Sequence, residues 1–175
     1  MPLTGQLQGY VSLTDTGTVT APDLGTLTGP AHTILLQPQS NYAAGTGAAS
    51  ADVLWQDINT LAASANTDVD LSGALTRATG GTSVFAKVSG LYIAADAANT
   101  NDVLVGAAAT NPWATWLNAT GTVRFRPGAW MVFGVGDLDT TRYSVTAGTG
   151  DLLRFANSGA GTSVTYRVAI IGTSV

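Results

Sequence analysis

The chain has no cysteine and no glutamate, one lysine (Lys87) and one histidine (His32) among its 175 residues. Without cysteine there is no disulfide, no thiol nucleophile and no Cys-based metal site. Glutamate and lysine are strong helix formers that normally coat surface helices, so their near absence predicts almost no surface helix. Charged residues make up 10% of the chain, against roughly 25% of an average soluble domain. A surface so short of charge is expected to face other protein over much of its area. The net charge of −4 and the pI near 4.5 leave no basic footprint for nucleic acid or an anionic membrane. No apolar run reaches the ~18 residues of a membrane span. The start, Met1 to Gln6, lacks a basic stretch followed by an apolar one, so no signal peptide is expected.

What the chain does have is 26 threonines, with Val, Tyr, Phe and Trp between Gly-, Asn- and Asp-rich punctuation. Threonine, valine and the aromatics suit pleated, half-buried surfaces, and the punctuating residues suit turns. The chain therefore reads as all-β. Residues 1–50 carry two charges, Asp15 and Asp23, and end in an Ala/Gly/Ser/Thr stretch from Asn41 to Ser50. That composition is a flexible linker's, and the segment buries too little apolar surface alone to offset its ordering entropy. We read it as an extended N-terminal arm that lies on its own body, a sister subunit or a neighbouring protein, with Ile34, Leu35 and Leu36 as its candidate apolar contact. Residues 51–175 read as the body. Asp52 to Ala63 is ambiguous, because Val53, Leu54, Ile58 and Leu61 have helical spacing. Elsewhere short strands alternate with Gly-rich turns. Trp130 to Val135 is almost unbroken apolar and is placed mid-core, and Asn157 to Gly161 reads as a hairpin turn. In the last strand Val164, Tyr166, Val168 and Ile170 share one face, with Arg167 on the other. About eight such strands indicate a jelly-roll-like β-sandwich.

Few residues suit chemistry. His32 lies in the arm, a poor place for a catalytic triad. Asp68/Asp70 and Asp137/Asp139 are D-x-D pairs whose carboxylates share one side of a strand, as a Ca²⁺ site or a glycosidase pair would need. Turn formation and solvated strand edges are the expected roles, since Asp137 to Thr141 lacks the Gly and distal Glu of an EF-hand loop. Gly45-Thr46-Gly47 and Gly148-Thr149-Gly150 lack the helix and lysine of a phosphate loop. Asn118-Ala119-Thr120 is a formal glycosylation sequon, which matters only in a secreted eukaryotic protein. No catalytic residue, metal or cofactor is assigned. Trp113 and Trp116 are read as core or subunit interface, with a sugar platform as the alternative. Arg124 and Arg126 share a strand face. Some of these, with Arg142, Arg154 and Arg167, are expected to meet aspartates across subunits, where arginine's planar fork is favoured; a solvated strand face is the alternative.

Several segments carry a resemblance. They are Leu54-Trp55-Gln56-Asp57 with Thr60-Leu61-Ala62-Ala63-Ser64, Asp68-Val69-Asp70-Leu71-Ser72-Gly73, and Phe85-Ala86-Lys87-Val88. Further on are Arg126-Pro127-Gly128, Val145 to Leu153, and Ile170-Ile171-Gly172-Thr173-Ser174. Over residues 52–175 the chain resembles small virion structural proteins of tailed bacteriophages. The resemblance implies a non-enzymatic, β-rich particle component, made in the host bacterial cytoplasm and resident in the virion. The leading expectation is a capsid decoration (cement) protein. It would trimerise on the outer head surface, lay its arms over the major capsid protein, and touch neither nucleic acid nor membrane. Binding only the assembled shell stabilises that shell by mass action, and three arms add avidity. The first alternative is a head or tail fibre, or receptor-binding module, that recognises host glycans through exposed aromatics. The last is a carbohydrate-active enzyme using the Asp pairs.

Overall fold

A computed structural model of the chain describes residues 5–8, 11–15, 18–21, 25–28, 32–36, 39–136 and 138–175. Among them there are strands and turns and no helix. The first six strands are β1 (Gly5–Gln8), β2 (Val11–Asp15), β3 (Thr18–Ala21), β4 (Gly25–Thr28), β5 (His32–Leu36) and β6 (Gln39–Ala44). They pair antiparallel in nested order, with Gly5 opposite Tyr42, Val11 opposite Leu36 and Thr18 opposite Thr28. The described residues from Gly5 to Ala44 thus pair as a folded-back two-stranded ladder, over the segment expected to be an extended arm. The alternation of Thr with Val and Leu in both halves suits such a ladder.

The body begins with β7 (Ser50–Ala51), β8 (Val53–Leu61), β9 (Asn66–Asp70), and the short pair β10 (Leu75–Thr76) and β11 (Thr82–Ser83). It continues with β12 (Lys87–Ala95), β13 (Val103–Gly106), β14 (Thr122–Phe125) and β15 (Trp130–Gly134). The last strands are β16 (Tyr143–Ser144), β17 (Leu152–Asn157) and β18 (Val164–Thr173). One sheet runs β15-β12-β18-β8, with β16 beside β12; the other runs β14-β13-β17-β9. Setting β16 aside, eight strands remain. The first pairs with the eighth, the second with the seventh, the third with the sixth and the fourth with the fifth. This nesting joins antiparallel strands into two sheets, consistent with a β-sandwich.

Both sheets send alternate residues inward. Val164, Tyr166, Val168 and Ile170 of β18 are buried, as their period-two spacing predicts. They meet Leu153 and Phe155 of β17, Val103 and Val105 of β13, and Leu91 and Ile93 of β12 in one continuous core. At its centre Phe155 and Tyr166 stack with centroids 4.3 Å apart, joining the two sheets. Each such buried side chain contributes roughly 1.5–3 kcal/mol.

Three expectations change. Asp52 to Ala63 is strand, not helix: β18 offers β8 a complete antiparallel ladder from Val53 to Leu61, and such pairing overrides local spacing. The Trp130–Val135 run is an edge strand. Met131 and Phe133 pack inward, while Trp130 keeps 60% of its surface exposed. The Asn157–Gly161 segment is no hairpin turn, because β17 and β18 belong to different sheets. Buried Asn157 holds this crossover, donating to the carbonyls of Ala62 (3.0 Å) and Thr162 (2.7 Å) and accepting from Asn101 (3.0 Å).

Two measurements test this packing. Gly172 faces the register shift of β12 between Val88 and Gly90, and a Cβ there would collide with the carbonyl of Lys87 and reach 3.1 Å from the Phe85 ring. Gly172→Ala should cost about 1–3 kcal/mol, read as a fall in Tm of roughly 2–4 °C per kcal/mol. Burial pushes the Tyr166 phenol above its ordinary pKa of 10.0, the charge of Asp57 adds to the rise, and a hydrogen bond with Asn59 opposes it. Because the folded value is the higher, this contribution is complete below the unfolded value and is lost as pH rises toward the folded one. Tyr166→Phe should therefore flatten the decline of stability between about pH 10 and pH 12, by up to about 1.4 kcal/mol per pH unit.

Candidate functional site

The predicted contact residues divide between the chain's interior and its surface. Trp113 is buried and its Nε1 donates to the Ser144 carbonyl at 2.9 Å. Trp116 is half-buried and stacks on Phe133 at 5.2 Å, while Tyr143 meets Trp113 and Phe133 edge-on. These four rings close one flank of the sandwich beneath β15 and β16. Trp113 is spent on the chain's own core and offers no open platform for a sugar.

The arginines find partners within the chain. Arg124 meets Asp102 at 2.6 Å, Arg154 grips both oxygens of Asp68 at 2.7 Å, and Arg167 lies 3.8 Å from Asp96. The fork of Arg154 on Asp68 has the bidentate geometry that arginine favours, and that bond raises the pKa of Arg154 further. Arg126 is exposed and opens the turn Arg126–Ala129, where Pro127 and left-handed Gly128 supply the bend. Ile34, Leu35 and Leu36 fall in β5 opposite Leu13, Ser12 and Val11, and His32 falls opposite Asp15; their side chains lie outside the described residues.

The aspartates act as turn formers. Asp70 accepts from the amides of Ser72 (3.0 Å) and Gly73 (2.8 Å), and Asp139 from those of Thr141 (2.8 Å) and Arg142 (3.1 Å). Asp137 lies outside the described residues. Gly148 donates to Asp151 at 2.6 Å within its own turn, and Asn118 accepts from the Thr120 amide at 3.1 Å as an Asx-turn does.

Two features form candidate functional surfaces. The first is the base of the arm. The Asn41–Ser50 stretch, expected to be a flexible linker, is bound to the body. Tyr42 is buried, and its hydroxyl donates to the carbonyl of Ser89 (3.3 Å). Ser40 Oγ donates to the carbonyl of Val135 at 2.9 Å. Arg142, 7% exposed, turns its guanidinium under the loop and donates to the carbonyls of Gly47 (2.5 Å) and Ser50 (2.8 Å). Its backbone sits at φ 53°, an unfavourable region for any residue with a Cβ. Packing and the Asp139 cap hold it there. β6 and β7 then run parallel, Ala43 beside Ser50. Residues 40–51 are therefore tied to the sandwich.

The second is the outer face of the five-stranded sheet. Its registers give three rows: Leu54, Ile171, Gly90, Gly134; then Gln56, Ala169, Tyr92, Val132; then Ile58, Arg167, Ala94, Trp130. The solvent side of an antiparallel sheet is normally polar. This one carries a single charged side chain in twelve positions, and Ile58 and Trp130 are 63% and 60% exposed. Small residues at its middle and large ones at its sides leave a trough of about 400 Å³. Sequence reasoning missed this face. The usable signal is that β8 and β12 carry apolar residues on both parities, as strands covered on both faces do.

No protein-family model, no curated protein and no solved structure matches the chain.

Arg142→Ala should free the base of the arm while sparing the sandwich. A hydrogen bond from a charged donor contributes roughly 1.5–3 kcal/mol. Amide exchange at Ala43 and Gly45, which donate to Ala49 and Ala51 across this loop, should speed up by at least about tenfold. The amides of Val168 and Ile170 should keep their rates.

Proposed function

We propose that the chain is a capsid decoration protein of a tailed-phage virion, assembling as a homotrimer on the outer head surface and laying its arms over the major capsid protein. The observation that carries this reading is the arm: a β-ladder on a bound base, with no third strand on β2–β5 or β3–β4 among the described residues. An isolated two-stranded ladder is marginal in water. Its open edges offer backbone donors and acceptors for strand addition. A neighbouring subunit that supplies such an edge stabilises both partners. The scarcity of charge and the acidic balance agree with attachment to protein rather than to packaged nucleic acid. Because the protein binds the assembled shell and not its unfolded subunits, it stabilises the shell by mass action.

The test uses purified empty heads and two proteins, the full chain and one lacking residues 1–36, which keeps Ser40 and Tyr42. The full chain should saturate heads at a stoichiometry matching their symmetry and raise their melting temperature. Loss of the ladder should weaken attachment by about 100-fold or more, since multivalent arms multiply affinity by 10²–10⁴. Full-length protein that leaves heads unbound sinks the proposal.

A further inference from the structure

The trough on the outer sheet face has the chemistry of a sugar site, and we propose that it binds a neutral saccharide. Its sides are Ile58 and Gln56 of β8 and Tyr92 of β12, its floor is Ala169, Arg167 lies at one end, and Ala78 of the loop between β10 and β11 leans over from the sheet edge. Its volume, about 400 Å³, falls in the range of small-molecule sites, roughly 300–1,000 Å³. It is open to solvent on one side, which suits part of a longer chain. Trp130 extends the aromatic wall, lying diagonal to Tyr92 across the β12–β15 ladder.

A pyranose presents an apolar face of C–H groups and a rim of hydroxyls that both donate and accept. The trough presents the matching halves. Tyr92, Ile58 and Ala169 supply apolar and aromatic surface. The Gln56 amide donates and accepts, and the Arg167 guanidinium donates. Planar side chains with several hydrogen-bonding atoms can each span two neighbouring hydroxyls. The one cation of the lining, Arg167, lies 3.8 Å from Asp96, so a net-neutral ligand fits better than a sulfated or phosphorylated one. Aromatic side chains with polar tips suit a ligand that is apolar on one side and wet on the other. The wider face is also apolar, but a protein partner would have to supply polar groups to Gln56 and Arg167.

This inference is independent of the decoration reading: a chain that fails to bind heads can still hold sugar, and the reverse. The experiment probes the full chain, in its native oligomeric state, with a microarray of neutral and acidic oligosaccharides. Neutral hits are then titrated by tryptophan fluorescence, with exposed Trp130 as reporter. The wild type should retain neutral oligosaccharides. Tyr92→Ala and Gln56→Ala should each weaken binding tenfold or more with melting temperature unchanged, and Trp113→Phe, in the core, should leave affinity unaltered. Four results would overturn the proposal: no neutral saccharide retained at millimolar concentration, a preference for sulfated chains, affinity indifferent to Tyr92→Ala, or a lower assembled mass for Tyr92→Ala. The last would make the face a contact between copies.

Discussion

Strand β18 is paired along its length on both sides, with β8 through Val53–Leu61 and with β12 through Lys87–Ala95. Its inward row, Val164, Tyr166, Val168 and Ile170, is also the sheet's main contribution to the core. One strand thus fixes the register of two neighbours and, through the Phe155–Tyr166 stack, the approach of the opposite sheet. In a sheet a slip of one residue moves every side chain to the wrong face. With two neighbours tied to it, β18 can slip only if the whole sheet loses its inside and outside together. The close passage of Gly172 over Lys87 has the same origin: the strand must run flush past the irregularity in β12, and only a glycine allows it.

How much of this was legible in the sequence follows from how local each signal is. The inward row of β18 and the Arg126-Pro127-Gly128 turn were readable because period-two alternation and a Pro-Gly bend need only a few adjacent residues. The fate of Trp130 was not. An apolar run says that both faces of a strand are apolar, and leaves open whether anything covers the second face. β15 lies at the sheet edge, so one of its faces meets the core and the other meets solvent. The base of the arm was hidden for a related reason. Ala, Gly, Ser and Thr between residues 43 and 50 look flexible, and what binds them is Arg142, some ninety positions away. Asn157 to Gly161 misled because turn chemistry marks a change of direction without saying whether the chain returns to the same sheet.

Most of the basic side chains of this protein have partners within it. Arg124, Arg154 and Arg167 face aspartates of the same chain, Arg142 holds the loop at residues 47–50, and Arg77 donates to Ser83 at 2.7 Å. That accounts for most of the seven basic residues, so few cations remain to seek a partner. Backbone edges, apolar contact and neutral hydrogen bonds are therefore the main means by which this surface can recognise a partner. Such contacts are screened little by salt, in contrast with exposed ion pairs. On the decoration reading, this gives an attachment that holds when ionic strength changes outside a particle. On that reading the work divides: the N-terminal ladder, with its open edges, suits a protein neighbour, while the trough, with one guanidinium and one amide set against aromatic surface, suits a ligand whose polarity comes from hydroxyls.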